Sequence, residues 1–276
     1  MQDYEDAVNA IYSSGGLASR ILQALERAGV DVDNLSVDAL TPLEELHIAG
    51  RKHTLHMAQL VGLVAGMQVI DIGCGIGGPA RALAHHFGCK VSGIDLTKEF
   101  CSVGRMLTER TGLGEMVEIR HADAVDLPFD DAVFDVAWLQ HTITNVPDKA
   151  RLFSEIARVL RSRGKVALYE VVSGTEPVAH FPVPWTRDAS VSFLVEEAEL
   201  LDYLNSAGFI CERWDDLTGK SIDFLERVLA KPGKRGSPGL SPGVILGPEY
   251  RLMMTNVLKN MEENRMRVVQ GVFILA

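Results

Sequence analysis

From Glu5 to Ala28 the apolar residues Val8, Ile11, Tyr12, Leu17, Ile21, Leu22 and Leu25 recur three or four positions apart, the spacing of one helix face. Gly15-Gly16 interrupts that spacing, so two helical pieces joined by a hinge are predicted. A second helical stretch covers about Leu43 to Val64. It leads into Met67 to Ile72, a short apolar run with the β-branched content of a strand. From there the period of the pattern switches regularly. Helix Gly78 to Phe87, strand Lys90 to Asp95, helix Lys98 to Thr111 and strand Val117 to His121 are followed by strand Val133 to Leu139, helix Asp148 to Leu160 and strand Lys165 to Val172. Helix Val195 to Ser206, strand Phe209 to Asp215 and a last strand, Arg267 to Leu275, complete the series.

Seven strands alternating with helices predict an α/β fold: a doubly wound, mostly parallel seven-stranded sheet with helices on both faces. Two stretches interrupt the alternation. Gly174 to Ser190 carries Pro177, Pro182 and Pro184 beside Phe181 and Trp185, and cannot be regular helix. Pro232 to Pro248 holds four prolines and five glycines between two helical pieces, Ile222 to Ala230 and Glu249 to Asn264. The implied organisation is a helical N-terminal lid (1–42), a Rossmann-like core (43–217, with 174–195 inserted), a helical cap (218–264) and a closing strand (265–276).

Glycines mark the centre of the pattern. In Val69-Ile70-Asp71-Ile72-Gly73-Cys74-Gly75-Ile76-Gly77-Gly78 a strand runs into a bend without side chains and then into a helix whose first N–H groups are unpaired. Such a bend at the carboxyl end of a strand is where open α/β sheets bind ligands. Gly73, Gly75 and Gly78 satisfy GxGxxG, so a dinucleotide-binding oxidoreductase has to be weighed. Asp95 ends the second strand and suits the ribose hydroxyls of either NAD or S-adenosylmethionine (SAM). Asp71 would face a pyrophosphate badly yet suits a cationic ligand. After the third strand, Asp123-Ala124 offers an acceptor for an adenine amino group and room for its ring. Three acids at successive strand ends favour SAM over NAD.

The chain resembles the class I SAM-dependent methyltransferases over about Leu43 to Gly174. The segments DIGCGIGG, SGIDLT, HADAVDLPFDDAVFDVAW and LFSEIARVLRSRGKVAL stand in that family's order. Arg161-Ser162-Arg163-Gly164 departs from the proline-glycine-glycine turn usual there. WLQHTITNVPDK (138–149) and HIAGR (47–51) are similar to the small-molecule branch, which includes sarcosine/dimethylglycine, sterol/tocopherol, prenyl-diphosphate and sugar methyltransferases. The resemblance implies that Gly73, Cys74 and Gly75 line the methionine part of SAM. It likewise implies that Asp95 and Leu96 hold the ribose, that Asp123 and Ala124 face the adenine, and that Gln140 or His141 borders the methyl group. His47 and Gly50 would meet the carboxylate end, and Tyr4 or Tyr12 would close over the sulfonium. The implied activity is methyl transfer to a carbon, nitrogen or oxygen of a small molecule. A non-catalytic scaffold or sensor with the same fold is the alternative, and an NAD-dependent oxidoreductase a more distant one.

Methyl transfer from a sulfonium needs alignment and no covalent nucleophile. An acceptor that must lose a proton gains from a base. His141, following the fourth strand, is the candidate, with an ordinary imidazole pKa near ~6.5; the alternative is that it only shapes the pocket. Trp185, Phe181, His180 and Arg187 could wall the acceptor, with Arg187 meeting an acidic one. The stripe Tyr250, Met253, Met254, Val257 and Met261 reads first as core. Cys74 reads as a small residue tolerated in the bend.

Charge and composition narrow the partners. A net charge of −10 argues against nucleic acid. The longest nearly unbroken apolar run, Leu60 to Met67, is too short to span a bilayer, and the acidic start Met1 to Asp6 lacks signal-peptide order. Cys74, Cys89, Cys101 and Cys211 show no paired metal-ligand spacing, and the neighbours His85-His86 point to different sides of a helix. No metal, reduced thiols, a cytoplasmic location, a small-molecule substrate and a homo-oligomer are expected.

Overall fold

A computed structural model describes residues 9, 12, 15–230 and 239–276. Seven strands form one sheet: β1 (Gln68–Ile72), β2 (Lys90–Asp95), β3 (Val117–His121), β4 (Phe134–Gln140), β5 (Leu160–Ser173), β6 (Phe209–Asp216) and β7 (Met266–Leu275). Their order is β3-β2-β1-β4-β5-β7-β6, with β7 alone running antiparallel to its neighbours β5 and β6. The order reverses between β1 and β4, so the connections leaving these strands diverge and open a crevice at their carboxyl ends.

Alternation along the strands divides the core. Val69, Val91, Val136 and Trp138 face one side, with helices α3 (Gly50–Val61), α4 (Gly78–Phe87), α8 (Thr218–Ala230) and α10 (Tyr250–Glu262). Ile70, Ile72, Ile94 and Leu139 face the other, with α6 (Lys149–Val159) and α7 (Glu197–Ser206). Burial on both faces is what makes these strands read as nearly unbroken apolar runs. A third cluster joins α1 (Leu17–Arg27) and α2 (Val37–Glu44) to α5 (Lys98–Arg110) and, through Ile245, to the one-turn α9 (Gly243–Leu246).

The predicted elements match to within a residue or two through the sheet, with three differences. Leu43 to Val64 is not one helix, because Ala49 (φ 70°) and Gly50 (φ 60°) are both left-handed and break the right-handed path between α2 and α3. β5 begins at Leu160, with Arg161 to Gly164 bulging between the pairs Phe134–Leu160 and Val136–Lys165. Arg163 (φ 62°) makes that bulge where a proline-glycine turn is usual. α8 starts four residues before Ile222. Met253, Met254, Val257 and Met261 are buried. No helix among the described residues is long and apolar enough to cross a membrane.

Candidate functional site

The bend after β1 is built by left-handed glycines: Gly73 (φ 71°), Gly75 (φ 56°) and Gly77 (φ 81°). Its N–H groups reach sideways to β2. Gly73 N and Cys74 N donate to the Ile94 carbonyl at 2.9 Å, and Gly75 N donates to Asp95 Oδ2 at 2.9 Å. Asp95 Oδ1 accepts from Thr97 N at 2.8 Å. A Cβ on Gly73 would lie 2.5 Å from both Cγ2 and Oγ1 of Thr142, whose hydroxyl donates to the Ile72 carbonyl at 2.8 Å. The bend is thus closed to any side chain by the strand that follows it in space.

One cavity opens above this bend. It is lined by Tyr12, His47, Asp71, Gly73, Cys74, Gly75, Asp95, Leu96, Asp123, Ala124, Gln140 and His141, which gathers the predicted residues from six separate segments. Gly50 is the exception: it starts α3 behind Glu45, and the wall there is made by Leu46, His47 and Ile48. Tyr4 lies outside the described residues. The cavity also takes in Thr142, Asn145, Phe100, Pro184, Trp185, Leu246 and Met254.

Asn145 is a hub that sequence reasoning missed. Its Oδ1 accepts from Tyr12 Oη at 2.9 Å, and its Nδ2 donates to the carbonyls of Trp185 and Val191, both at 3.0 Å. The proline-aromatic insertion is thereby fixed to the end of β4, and Trp185 is buried against the cavity. Arg187 does not line the cavity; it is exposed and paired with Glu249. His180 pairs with Glu263 at 2.8 Å, and Phe181 packs on the core.

The charge states differ from the expectation. Burial pushes the Asp71 carboxyl up to about 8, the Asp95 charge adds to this, and Asp71 Oδ2 has no partner. A cation arriving at the site would meet a group ready to ionise. His141 is not an ordinary imidazole: burial, with the charges of His47 and His53, lowers its pKa well below 6.5. Its backbone is left-handed (φ 56°), its N–H donates to the Tyr169 carbonyl at 2.8 Å, and its buried Nε2 has no partner. Cys74 is buried and its thiol lies well above the usual value, chiefly from burial, which suits a space-filling role and not a nucleophile.

Behind the cavity lies a network of buried charges. Glu44 bridges Arg51 and Arg81, with Oε1–Nη2 and Oε2–Nη2 both at 2.5 Å. Glu45 contacts Arg51 and accepts from His47 Nε2 at 2.7 Å; burial would raise its carboxyl, but His47 and Arg51 outweigh this and hold it low.

Glu170 fixes the other wall. Its Oε1 accepts from Thr142 N at 2.9 Å and Ile143 N at 3.3 Å, and burial pushes its carboxyl up to about 8 from 4.5. Between roughly pH 4.5 and 8 the folded chain therefore keeps a proton that the unfolded chain has lost, and stability falls as pH rises through that window. In Glu170→Gln this contribution is gone. The stability difference between wild type and variant, from urea unfolding at pH 5 to 8, should drift against the wild type by up to about 1.4 kcal/mol per pH unit. A difference independent of pH would contradict the assignment.

The comparisons agree with this geometry. A family model described as a methyltransferase domain matches residues 70–168. An O-methyltransferase of Penicillium expansum is 30% identical over 222 residues, covering 80% of this chain and 77% of that protein. A glycine/sarcosine/dimethylglycine N-methyltransferase of Actinopolyspora halophila is 28% identical over 227 residues, covering 80% of this chain but 38% of that protein. The chain spans between 35% and 47% of the length of the first curated relatives it matches. In fold, it resembles a geranyl diphosphate C-methyltransferase of Streptomyces coelicolor A3(2), solved with S-adenosyl-L-homocysteine (SAH). The TM-score is 0.71 at 15% identity, covering 99% of this chain and 98% of that one. The chain belongs to the class I SAM-dependent methyltransferases.

Proposed function

We propose that this chain methylates a small, uncharged acceptor that gives up a proton, with His141 taking that proton at Nε2. The observation that carries the reading is a buried, neutral imidazole with an unpartnered nitrogen in the same cavity as the glycine bend and the strand-end acids.

The residues fit SAM on their own chemistry. A carboxylate offers about four lone-pair sites, and Asp95 uses one on each oxygen for backbone N–H groups, leaving the others for ribose hydroxyls. Gly73 has no side chain where the bend packs against Thr142, and its backbone borders the cavity. Asp71 supplies a latent negative charge, and Asp123 with Ala124 borders the same cavity beyond β3. When bound, SAM supplies an electrophilic methyl group on a sulfonium.

On the acceptor side, Pro184, Trp185, Leu246 and Met254 give an apolar wall that excludes water. The ionisable lining other than His47, Tyr12 and Cys74 consists of Glu44, Asp71, Asp95 and Asp123 with His141; among the described residues no lysine or arginine faces the cavity. An acceptor bearing a carboxylate or diphosphate would find no lysine or arginine to pair with there. A hydroxyl on an apolar skeleton suits both the wall and the imidazole, and the O-methyltransferase relative supports it. In this reading residues 1–42 act as the lid and 218–264 as the cap.

His141→Ala should leave SAH affinity within about threefold while lowering the single-turnover rate more than roughly tenfold. Unchanged turnover would remove the proton-acceptor role.

A further inference from the structure

A second cleft lies on the same face of the sheet, between α3 and α8 and over β6 and β7. Its volume is about 720 Å³, within the range of sites for small organic ligands. In a chain of net charge −10 it gathers Lys52 from α3, Lys220 and Arg227 from α8, and Arg213 from β6. Arg213 is held by Asp215 at 2.5 Å. Lys52, Lys220 and Arg227 form no ion pair among the described residues, and Asp223 is the remaining acid of the wall.

The floor of the cleft adds a second, independent feature. Gln270 is 1% exposed; its Nε2 donates to Asp215 Oδ2 at 3.2 Å, while its buried Oε1 has no partner. A buried amide oxygen without a donor is expensive to leave unmade, and a ligand hydroxyl would complete it. Beside it the His53 ring lies tilted against Tyr169 with ring centroids 3.8 Å apart, its Nε2 likewise buried and unpartnered. Leu217, Phe224 and Val228 give the cleft an apolar side. The buried acceptor and the cations therefore ask for different parts of one molecule.

We propose that this cleft is a binding site, separate from the cofactor cavity, for a small organic anion that also carries a hydroxyl. Its carboxylate or phosphate lies toward Lys52, Lys220 and Arg227, and its hydroxyl donates to Gln270 Oε1. Neither the family comparisons nor the proposed methyl transfer uses these residues.

Calorimetric titration of the full chain, saturated with SAH, tests this with four probes: citrate, glycerol 2-phosphate, succinate and sulfate. Saturable binding of citrate or glycerol 2-phosphate is expected, citrate the tighter if the natural group is a carboxylate and glycerol 2-phosphate if it is a phosphate. Both organic hydroxyl anions should bind more tightly than succinate or sulfate. The double variant Lys52→Glu, Lys220→Glu, altered at two exposed positions, should keep its SAH affinity and weaken probe binding at least roughly tenfold. Gln270→Leu should erase the advantage of citrate over succinate. The proposal is overturned if neither hydroxyl anion binds below roughly 10 mM, if sulfate binds as tightly as either, or if charge reversal leaves binding unchanged in a variant that still binds SAH.

Discussion

Glu44→Leu is expected to lower the unfolding free energy by about 3–5 kcal/mol, because it leaves the buried Arg81 guanidinium without a carboxylate and takes one of two from Arg51. Arg81 is fully buried; its other partners are Gly104 O at 3.3 Å and Thr108 Oγ1 at 3.2 Å, which supply hydrogen bonds but no charge. Arg51 keeps Glu45, so the larger part of the effect falls on Arg81. For a chain of this size the loss corresponds to a fall in melting temperature of roughly 6–20 °C. Adding Arg81→Met to the variant should recover part of it, since removing both members of a buried pair is less damaging than removing one. Thermal melts of the single and double variants check this, and a single variant within about 1 kcal/mol of wild type would show the network to be unimportant.

The second large effect concerns cofactor affinity. Asp95→Ala removes the acceptor of Gly75 N and Thr97 N and, with it, the two lone-pair sites assigned to the ribose. Hydrogen bonds to a charged group contribute about 1.5–3 kcal/mol each. The loss of two to the ligand predicts SAH binding weaker by at least ~100-fold. Asp95→Asn keeps one acceptor and brings a donor against a donor, so it should fall between. Calorimetry of the three proteins with SAH measures the series. Affinity of Asp95→Ala within about threefold of wild type would remove Asp95 from the ribose.

What the sequence made legible was local or periodic. The sheet follows from apolar strands that switch period into helices, and β2, β3 and α4 match the predicted residues. The bend at Gly73 was visible because only glycine tolerates its conformation and its closeness to Thr142. Asp95, ending β2, and Asp123, just after β3, were candidates by their place in the alternation, and both line the cavity. What escaped depends on contacts between distant segments. Asn145 ties Tyr12 to Trp185 and Val191 through bonds that no spacing announces. Glu44 and Arg81 stand on two helices far apart in the chain, and only the packing of α2 against α4 places them in one buried pair. Gly50 turns the chain into α3 and does not line the cavity. Burial also changed chemistry that residue type alone suggested. Asp71 and His141 sit where they were expected, but the fold keeps Asp71 protonated up to about pH 8 and His141 neutral.

The central claim is that the cavity above the Gly73 bend holds the adenosyl cofactor. A crystal structure of the full chain grown with SAH tests it most directly. Density for SAH is predicted against Gly73 to Gly75, with the ribose at Asp95 and the adenine beside Asp123 and Ala124. A clear cavity in crystals whose protein binds SAH in solution, or density for SAH elsewhere in the molecule, would contradict it.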